Sequence, residues 1–338
     1  MSLTHIKVGV IALTDSAPFV VAHHLGLFSQ AGVDVELLRQ PSWATLRDKL
    51  IYGELDAAHM LSPMAIAVQL GLGGSPKKDM LAPLVLNRGG NAITVATPLA
   101  EKLAGLATGE TLGSYLRAAR SKGEPLLVFG TVFPFSMHTL QLRRWLRLND
   151  VDPDSDVRFE VVPPVRMVAA LKAGQIDGFC VGEPYNSVAL NDGLGRIVAT
   201  SNSLWPNAPE KVLGCSLSWA QANPVALTAL TGSLGQACAW LEGGMDNRKL
   251  AAEWLSESAH DNLPRHLLEL ALLESVKTLV TTPLSSSSET PFIRFDGVPV
   301  QPSQQPVFDS LVAETLALTV PVNVEPADLK RGVMPFGF

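Results

Sequence analysis

The clearest binding chemistry in the sequence lies in three turns that join a predicted strand to a predicted helix. Each turn offers a serine that can cap the following helix, namely Ser16, Ser42 or Ser136. Unpaired N–H groups and the dipole at a helix N-terminus favour an anion, and open α/β sheets bind ligands at the carboxyl ends of their strands. Because capping alone explains any one turn, the sequence indicates an anion site only where several turns converge.

The motifs of common enzymes are missing from the sequence. It contains no GxSxG, no Walker A loop, no HExxH and no dinucleotide fingerprint after a strand. Asp177 and Glu183 lie close enough in sequence to suggest a catalytic acid pair. The segment 182–185, however, is more typical of a helix start with an acidic first turn. We therefore predict a binding protein without catalytic activity.

Composition narrows the class of protein further. The chain has 338 residues and 47% hydrophobic residues, enough for two domains with a large core. A net charge of −6 argues against a nucleic-acid surface, and no stretch approaches the roughly 20 apolar residues of a membrane span. Cys180, Cys215 and Cys238 form no CxxC pair, so we predict buried thiols.

A ten-residue pattern that occurs twice predicts two similar lobes. Residues 50–59 and 171–180 share the spacing Leu-x-x-Gly-x-[Leu/Ile]-Asp. In each copy a helix ends at a glycine, which enters the left-handed conformation without a Cβ penalty, and a strand follows. Two copies of a helix–strand unit indicate two lobes with a cleft between them. Asp56 and Asp177 are predicted to be structural.

The order of the predicted elements assigns an α/β fold with a mainly parallel sheet covered by helices. We predict that residues 1–96 and 201–338 form the first lobe and 97–200 the second, with a hinge of two strands. The Ser- and Pro-rich residues 281–306 are predicted to be an exposed loop.

The N-terminus predicts a cytoplasmic protein. Residues 6–13 are an apolar, β-branched run typical of a first core strand, and only five residues precede it. That leaves no room for the apolar segment of an export signal. A periplasmic location is the alternative if a leader has been removed.

Four segments carry a resemblance to a known family. They are LTDSAP at 13–18, SWATLRD at 42–48, DGFCVGEPYN at 177–186 and LWPNAPEK at 204–211. In this order they resemble the NrtA/CmpA/NasS family of nitrate- and bicarbonate-binding proteins of ABC transporters and related nitrate/nitrite sensors. The resemblance covers about residues 5–260. It implies a periplasmic-binding-protein type II fold, in which two lobes close on a small ligand.

The resemblance also implies the ligand-binding residues. Nitrate-binding members hold the anion with a tryptophan, an amide, a histidine and a lysine, which match Trp43, Asn91, His138 and Lys211. Nitrate has only acceptor oxygens, so we expect hydrogen-bond donors around it and no carboxylate nearby.

Three further residues complete the predicted site. They are Ser16 and Ser136, from the capping turns, and Glu183, from a matched segment. No cofactor is predicted.

Two departures from the family pattern bear on the ligand. Nitrate transporters have glutamine where this chain has Asn91, and Phe135 and Met137 replace loop glycines. The added bulk predicts a tighter pocket, reshaped toward nitrite. Lys211 favours nitrate over bicarbonate, because bicarbonate-binding relatives carry an acidic residue there together with calcium. We therefore predict no metal.

Three functional hypotheses follow. The first is a cytoplasmic nitrate/nitrite sensor whose lobe closure releases a regulatory partner, an RNA-binding antiterminator that controls nitrate-assimilation genes. The alternative is the substrate-binding component of an ABC transporter for nitrate or a related small anion, such as bicarbonate or a sulfonate. The third is a thiamine-pyrimidine synthase, a related fold with a cysteine-rich motif, which the scattered cysteines disfavour.

Overall fold

A computed structural model describes residues 3–257, 265–273, 292–300 and 305–318, which form two sheets covered by helices. The strands are β1 (Thr4–Val10), β2 (Val33–Arg39), β3 (Ala57–Leu61), β4 (Met80–Gly89), β5 (Asn91–Ala96), β6 (Leu127–Thr131), β7 (Val157–Val161), β8 (Gly178–Gly182), β9 (Gly195–Thr200), β10 (Pro209–Ser216) and β11 (Ile293–Pro299). The helices are α1 (Ala17–His24), α2 (Leu27–Gln30), α3 (Trp43–Tyr52), α4 (Ser62–Leu70), α5 (Thr97–Ala104), α6 (Leu112–Ser121), α7 (Met137–Leu148), α8 (Met167–Lys172), α9 (Tyr185–Asn191), α10 (Ser201–Leu204), α11 (Leu217–Ala222), α12 (Pro224–Glu242), α13 (Met245–Glu257), α14 (Arg265–Leu273) and α15 (Gln305–Leu316).

The two sheets share one topology. The first has the order β11-β4-β10-β3-β1-β2 and the second β7-β6-β8-β5-β9. In each sheet a central strand, β1 or β6, runs parallel to both neighbours. One strand that returns from the other lobe, β10 or β5, runs antiparallel to both neighbours. The two-lobed α/β fold is confirmed, but the sheets are mixed rather than mainly parallel because of these returning strands.

The chain crosses between the sheets twice. The first crossing is at Gly89 and Gly90, whose φ angles of +75° and +86° suit glycine. β5 therefore belongs to the second sheet, although the sequence analysis placed residues 91–96 in the first lobe. The apolar runs of β4 and β5 are separated only by the polar residues and glycines at 87–91, so the sequence analysis did not divide the lobes there. Residues 201–208 form the return from β9 to β10.

Local sequence signals explain several element boundaries. The Ser42 hydroxyl accepts a hydrogen bond from Thr45 N and caps α3, which ends at Gly53 with φ +79°. Both features were predicted from the sequence. The helical segment that follows β1 is interrupted at Gly26, which takes φ +67° and separates α1 from α2.

The largest hydrophobic cluster includes residues of both lobes. Trp43 and Met60 of the first lobe belong to it together with Met137, Phe179 and Tyr185 of the second. Burial of apolar surface at about 25 cal/mol per Å² makes such a shared cluster a substantial stabilising term. The lobes are therefore packed against each other in this conformation.

The C-terminal part differs from the prediction. β11 pairs with β4 and forms one edge of the first sheet, and Phe292, Ile293 and Phe295 are buried. Part of the predicted exposed loop at 281–306 is thus a core strand. The serine run 285–288 lies outside the described residues.

Two composition-based expectations can be compared with the structure. The three cysteines are all buried free thiols, as predicted. Among the residues that the structure describes, no helix combines the length and hydropathy needed to cross a bilayer.

Candidate functional site

Lys211 and Asn91 occupy equivalent positions in the two lobes. Each lies near the start of the strand that follows a crossing, β10 for Lys211 and β5 for Asn91. Lys211 pairs with Leu61 of β3, and Asn91 pairs with Gly182 of β8. Leu61 and Gly182 each lie two residues beyond a copy of the repeat. The shared topology therefore brings two of the predicted site residues to the same edge of the cleft.

A β-bulge explains why two successive residues, Glu210 and Lys211, contribute to one site. Side chains of a regular strand alternate between the faces of a sheet. The register between β10 and β4 shifts between Pro209 and Lys211 and again between Lys211 and Val212. Such irregularities re-aim side chains, and Glu210 Oε1 lies 2.8 Å from Lys211 Nζ.

Lys211 is the centre of a buried charge cluster. Its side chain is 0% exposed, and Nζ lies 2.8 Å from Asp15 Oδ2 as well as 2.8 Å from Glu210 Oε1. Nζ also stands over the Trp43 ring, 5.7 Å from its centroid. The expectation of a site without carboxylates is therefore wrong. A buried ammonium needs charged partners, and here the protein supplies them.

The protonation states of this cluster follow from burial and pairing. Burial opposes ionisation of Asp15, but Lys211 and His59 outweigh it and hold the pKa of Asp15 well below its usual range. Burial likewise opposes the charge on Lys211, yet Asp15 and Glu210 raise the pKa of Lys211. For Glu210 burial prevails over the attraction of Lys211 and raises its pKa.

Two buried histidines flank the charges. His59 Nε2 lies 3.2 Å from Asp15 Oδ1, and His138 Nε2 lies 3.9 Å from Glu210 Oε1. Burial lowers the pKa of His59, although Asp15 partly offsets it. Burial and the nearby Lys211 lower the pKa of His138 much further. Both imidazoles are therefore neutral at pH 7 and can each donate one N–H.

The second lobe contributes amides. Asn91 Nδ2 donates to Gln141 Oε1 at 3.1 Å, and the Cys180 thiol is 3.9 Å from that oxygen. The position that a Cβ on Gly182 would take is 3.4 Å from Asn91 Oδ1 and 3.5 Å from Asp15 Oδ2. Side chains from opposite lobes thus approach each other beside Gly182.

Several buried polar atoms of the site lack a hydrogen-bond partner among the described residues. They are Trp43 Nε1, both ring nitrogens of His138, Asn91 Oδ1 and Glu210 Oε2. Trp43 is the first residue of α3 and is 0% exposed, with its ring 5.7 Å from that of His59. Buried polar groups are normally paired, so their concentration here points to a binding site.

Three of the predicted residues have side-chain hydrogen bonds to residues three or four positions away in sequence. The Ser16 hydroxyl donates to Leu13 O at 2.7 Å and makes no side-chain cap to α1, so the capping prediction for Ser16 is wrong. Ser136 caps α7 as predicted, through Thr139 N. Glu183 Oε2 accepts from Ser187 N at 3.1 Å, and burial raises the pKa of Glu183 to about 7. None of these contacts involves Lys211.

Sequence reasoning missed four members of the cluster, although signals for them were present. They are Asp15, His59, Gln141 and Glu210. Asp15 and Glu210 lie inside matched segments, and Gln141 lies one helical turn after His138. His59 and Cys180 are the last residues of the two repeat copies, so the repeat itself reaches the site.

Direct contacts hold the lobes together beside the cluster. Thr14 donates to Glu183 O through both its N–H, at 2.9 Å, and its hydroxyl, at 3.2 Å. The Tyr185 hydroxyl donates to Ala12 O at 3.3 Å. A cleft of about 580 Å³ opens between the loops at 39–42 and 163–166. This conformation is closed around the buried charges and open only at the rim.

Comparison with known proteins now identifies the family. A family model described as the NMT1-like family matches residues 2–256. The chain belongs to the NMT1-like family. It is 41% identical over 239 residues to the nitrate import ATP-binding protein NrtC of Synechocystis sp., covering 70% of this chain and 35% of that protein. The nitrate/nitrite binding protein NrtA of Synechococcus elongatus is 36% identical over 245 residues, covering 70% of this chain and 55% of the relative.

Solved structures support the same fold. The periplasmic nitrate-binding protein NrtA from Synechocystis superimposes with a TM-score of 0.77 at 25% identity, covering 98% of this chain and 92% of that one. The alkanesulfonate-binding protein SsuA from Xanthomonas axonopodis gives a TM-score of 0.66 at 18% identity, covering 97% and 98%. The predicted family and its periplasmic-binding-protein fold are confirmed. The chain spans only about a third to just over a half of the curated relatives named above.

Proposed function

We propose that this protein is a non-catalytic receptor for a small monovalent oxoanion, nitrate or nitrite, which it binds between its lobes. The observation that carries the proposal is the set of buried donors around Lys211. The indole N–H of Trp43 and the imidazole of His138 have no acceptor among the described residues. Lys211 Nζ has three N–H groups, and two carboxylates occupy two of them. An acceptor-only ligand suits such a set.

The donors come from both lobes, which links binding to lobe closure. Trp43 and Lys211 belong to the first lobe, whereas His138 and Asn91 belong to the second. A ligand stabilises the closed state only to the extent that it binds that state better than the open one. An anion that touches both lobes meets this condition.

The proposed role of the receptor is that of a substrate-binding component of an ABC transporter. Relatives named for nitrate import or nitrate/nitrite binding support this role. A similar solved structure is described as periplasmic. We therefore favour a periplasmic location over the cytoplasmic location expected from the sequence.

A sensor that acts on a regulatory partner is the second candidate. The match to NrtC covers 35% of that ATP-binding protein, so a segment like this chain occurs within a larger protein. An antiterminator is the partner first expected from the sequence. Addition of nitrate to a complex with that protein distinguishes the roles, since only the sensor role predicts its dissociation.

Isothermal calorimetry tests the receptor proposal itself. Nitrate, nitrite, bicarbonate and methanesulfonate are titrated into the protein at one pH. We expect saturable binding of nitrate or nitrite with one site per chain and weaker binding of the other two anions. Tighter binding of bicarbonate or methanesulfonate than of both nitrogen oxoanions would overturn the proposed ligand class.

A further inference from the structure

The buried cluster around Lys211 has an electrostatic imbalance once an anion joins it. Asp15, Glu210 and Lys211 are at most 2% exposed. With both carboxyl groups ionised, the cluster carries two negative charges and one positive charge. A bound monoanion adds a third negative charge, and no guanidinium or second ammonium is recorded in contact with these carboxylates in the described part of the chain. Uncompensated charge is strongly disfavoured in a dry interior.

The imbalance is removed if one buried group gains a proton. Asp15 is a poor candidate because it is shared between Lys211 and His59, both of which favour its ionised form. Burial disfavours an imidazolium at His59 although Asp15 partly offsets it, and burial together with Lys211 disfavours one at His138. Glu210 differs from Asp15 in its second oxygen. Each oxygen of Asp15 faces either His59 or Lys211, whereas both His138 and Lys211 face Glu210 Oε1, and the buried Oε2 has no hydrogen-bond partner among the described residues.

The groups around Glu210 come from every element packed against it. Lys211 of β10 contacts Oε1, and His138 of α7 lies 3.9 Å from the same oxygen. The side chain of Asn91 on β5 favours the ionised form, while the charge of Asp15 disfavours it. The Cys180 thiol of β8 also faces the charge of Glu210. Only Lys211 supplies a full positive charge among these neighbours, and a bound anion competes for it.

We propose that Glu210 takes up one proton when the anion binds, so that the site takes the anion and a proton together. This inference rests on the proposed function. Protonation changes Glu210 from a group that repels an oxoanion into one that offers an O–H donor. By linkage, a ligand that promotes protonation binds more tightly where protons are more available. Affinity therefore rises as pH falls, by up to about tenfold per pH unit.

Calorimetry in paired buffers tests the proton uptake. Nitrate is titrated into the wild-type protein at several pH values around neutrality, at each pH in two buffers with different ionisation enthalpies. The difference in binding heat gives the number of protons exchanged. We expect uptake to approach one proton per nitrate at pH values between the pKa of Glu210 in the free protein and its higher pKa in the nitrate complex. Nitrate binding without proton exchange would overturn the inference alone, whereas absence of nitrate binding would count against the proposed function.

Two matched variants assign the proton to a residue. Glu210→Gln mimics the protonated carboxyl, so we expect it to bind nitrate with no proton uptake and little dependence on pH. Glu242→Gln removes a glutamate outside the cleft, which pairs with Arg248, and should retain the uptake. Uptake that persists in Glu210→Gln, or that disappears in Glu242→Gln, would assign the proton elsewhere and overturn the inference.

A spectroscopic measurement on the wild-type protein covers the case in which Glu210→Gln fails to fold. Infrared difference spectra with and without nitrate report the C=O stretch of protonated carboxyl groups, which is separate from the carboxylate bands. We expect nitrate to increase the protonated carboxyl signal. An unchanged signal in this region would contradict the inference without any variant.

Discussion

The two lobes share a strand order but differ in the chemistry they bring to the cleft. The first lobe supplies the ionised side chains of Asp15 and Lys211, together with Glu210, whose pKa is raised by burial. The second supplies uncharged groups, among them Asn91 and the neutral His138. At the equivalent positions after the crossings, one lobe has an ammonium and the other an amide. The same strand order therefore carries a buried cluster of charges in one lobe and neutral hydrogen-bonding groups in the other.

This asymmetry suits a receptor that closes in two stages. Neutral hydrogen bonds act only at about 3 Å and weaken steeply with poor geometry. The two carboxylates beside Lys211 offset its attraction at longer range, so its ammonium also acts mainly at contact distance. We therefore expect Lys211 to bind the anion in the first lobe and the neutral groups of the second lobe to complete its coordination on closure.

Removal of the charge from the first lobe has the largest expected effect. Lys211→Ala leaves Asp15 and Glu210 buried without a cation, which costs about 3–5 kcal/mol of stability. Nitrate affinity falls as well, by more than about 1.5 kcal/mol, since a charged donor is lost. Chemical unfolding and calorimetry measure the two effects. The control is Lys49→Ala, a partly exposed lysine 3.9 Å from Glu54; an affinity for Lys211→Ala equal to that of this control would exclude Lys211 from the site.

The second lobe stays uncharged at Glu183 only while this buried carboxyl group is protonated, so its charge depends on pH. Burial raises its pKa from 4.5 to about 7, so between these values the folded protein holds a proton that the unfolded chain has released. Stability therefore falls as pH rises through this window, by about 3 kcal/mol in total from this group. Urea unfolding from about pH 5 to pH 8 measures the fall, and Glu183→Gln should remove this share of it. An identical pH profile in the variant would show that Glu183 is ionised in the folded protein throughout.

Truncation of Asn91, which is equivalent to Lys211 in the second lobe, should lower nitrate affinity by a smaller amount. Asn91→Ala removes a neutral hydrogen-bonding group, so we expect nitrate affinity to fall by about 1 kcal/mol. Calorimetry compares this loss with that of Lys211→Ala. If the two losses were equal, the division between a charged and a neutral lobe would not govern binding.

The smallest effect on nitrate affinity is expected for Ser16 and Ser136, the serines of the turns, because we place them outside the site. Ser136→Ala removes a helix cap and should lower stability by about 1 kcal/mol. Nitrate affinity should stay within about twofold of wild type, because the recorded hydroxyl contacts are to Thr139 and Phe133 O. Ser16→Ala removes no helix cap but should likewise keep nitrate affinity within about twofold of wild type. A tenfold loss of affinity in either variant would return that serine to the site.

The sequence was sufficient for the architecture because its signals are local. The stop at Gly53 and the cap at Ser42 follow from neighbouring residues, and the two repeat copies predicted two lobes. The first crossing was missed, since Gly89 and Gly90 interrupt a run that is apolar on both sides. Nothing in a local pattern shows that the chain changes sheets there.

The site was only partly predictable, for a different reason. Lys211 and Asn91 were found through resemblance and not through spacing. Glu210 escaped notice because alternation along β10 would place it on the face opposite to Lys211, and the bulge that prevents this depends on pairing with β4. Asp15 was taken as part of a capping turn, because its ion pair with Lys211 spans most of the chain.

The position of Asn91 and Lys211 directly beyond the two crossings has a mechanical consequence. Both residues sit close to the fulcrum about which the lobes would rotate. A given rotation moves groups near a fulcrum little, whereas the loops at 39–42 and 163–166 on the cleft rim travel much further. A small ion bound near the rotation axis can thereby cause a large displacement at the rim of the cleft. If the proposed function holds, the displacement of the rim, rather than of the ion itself, would be the change that a transporter or a regulatory protein recognises.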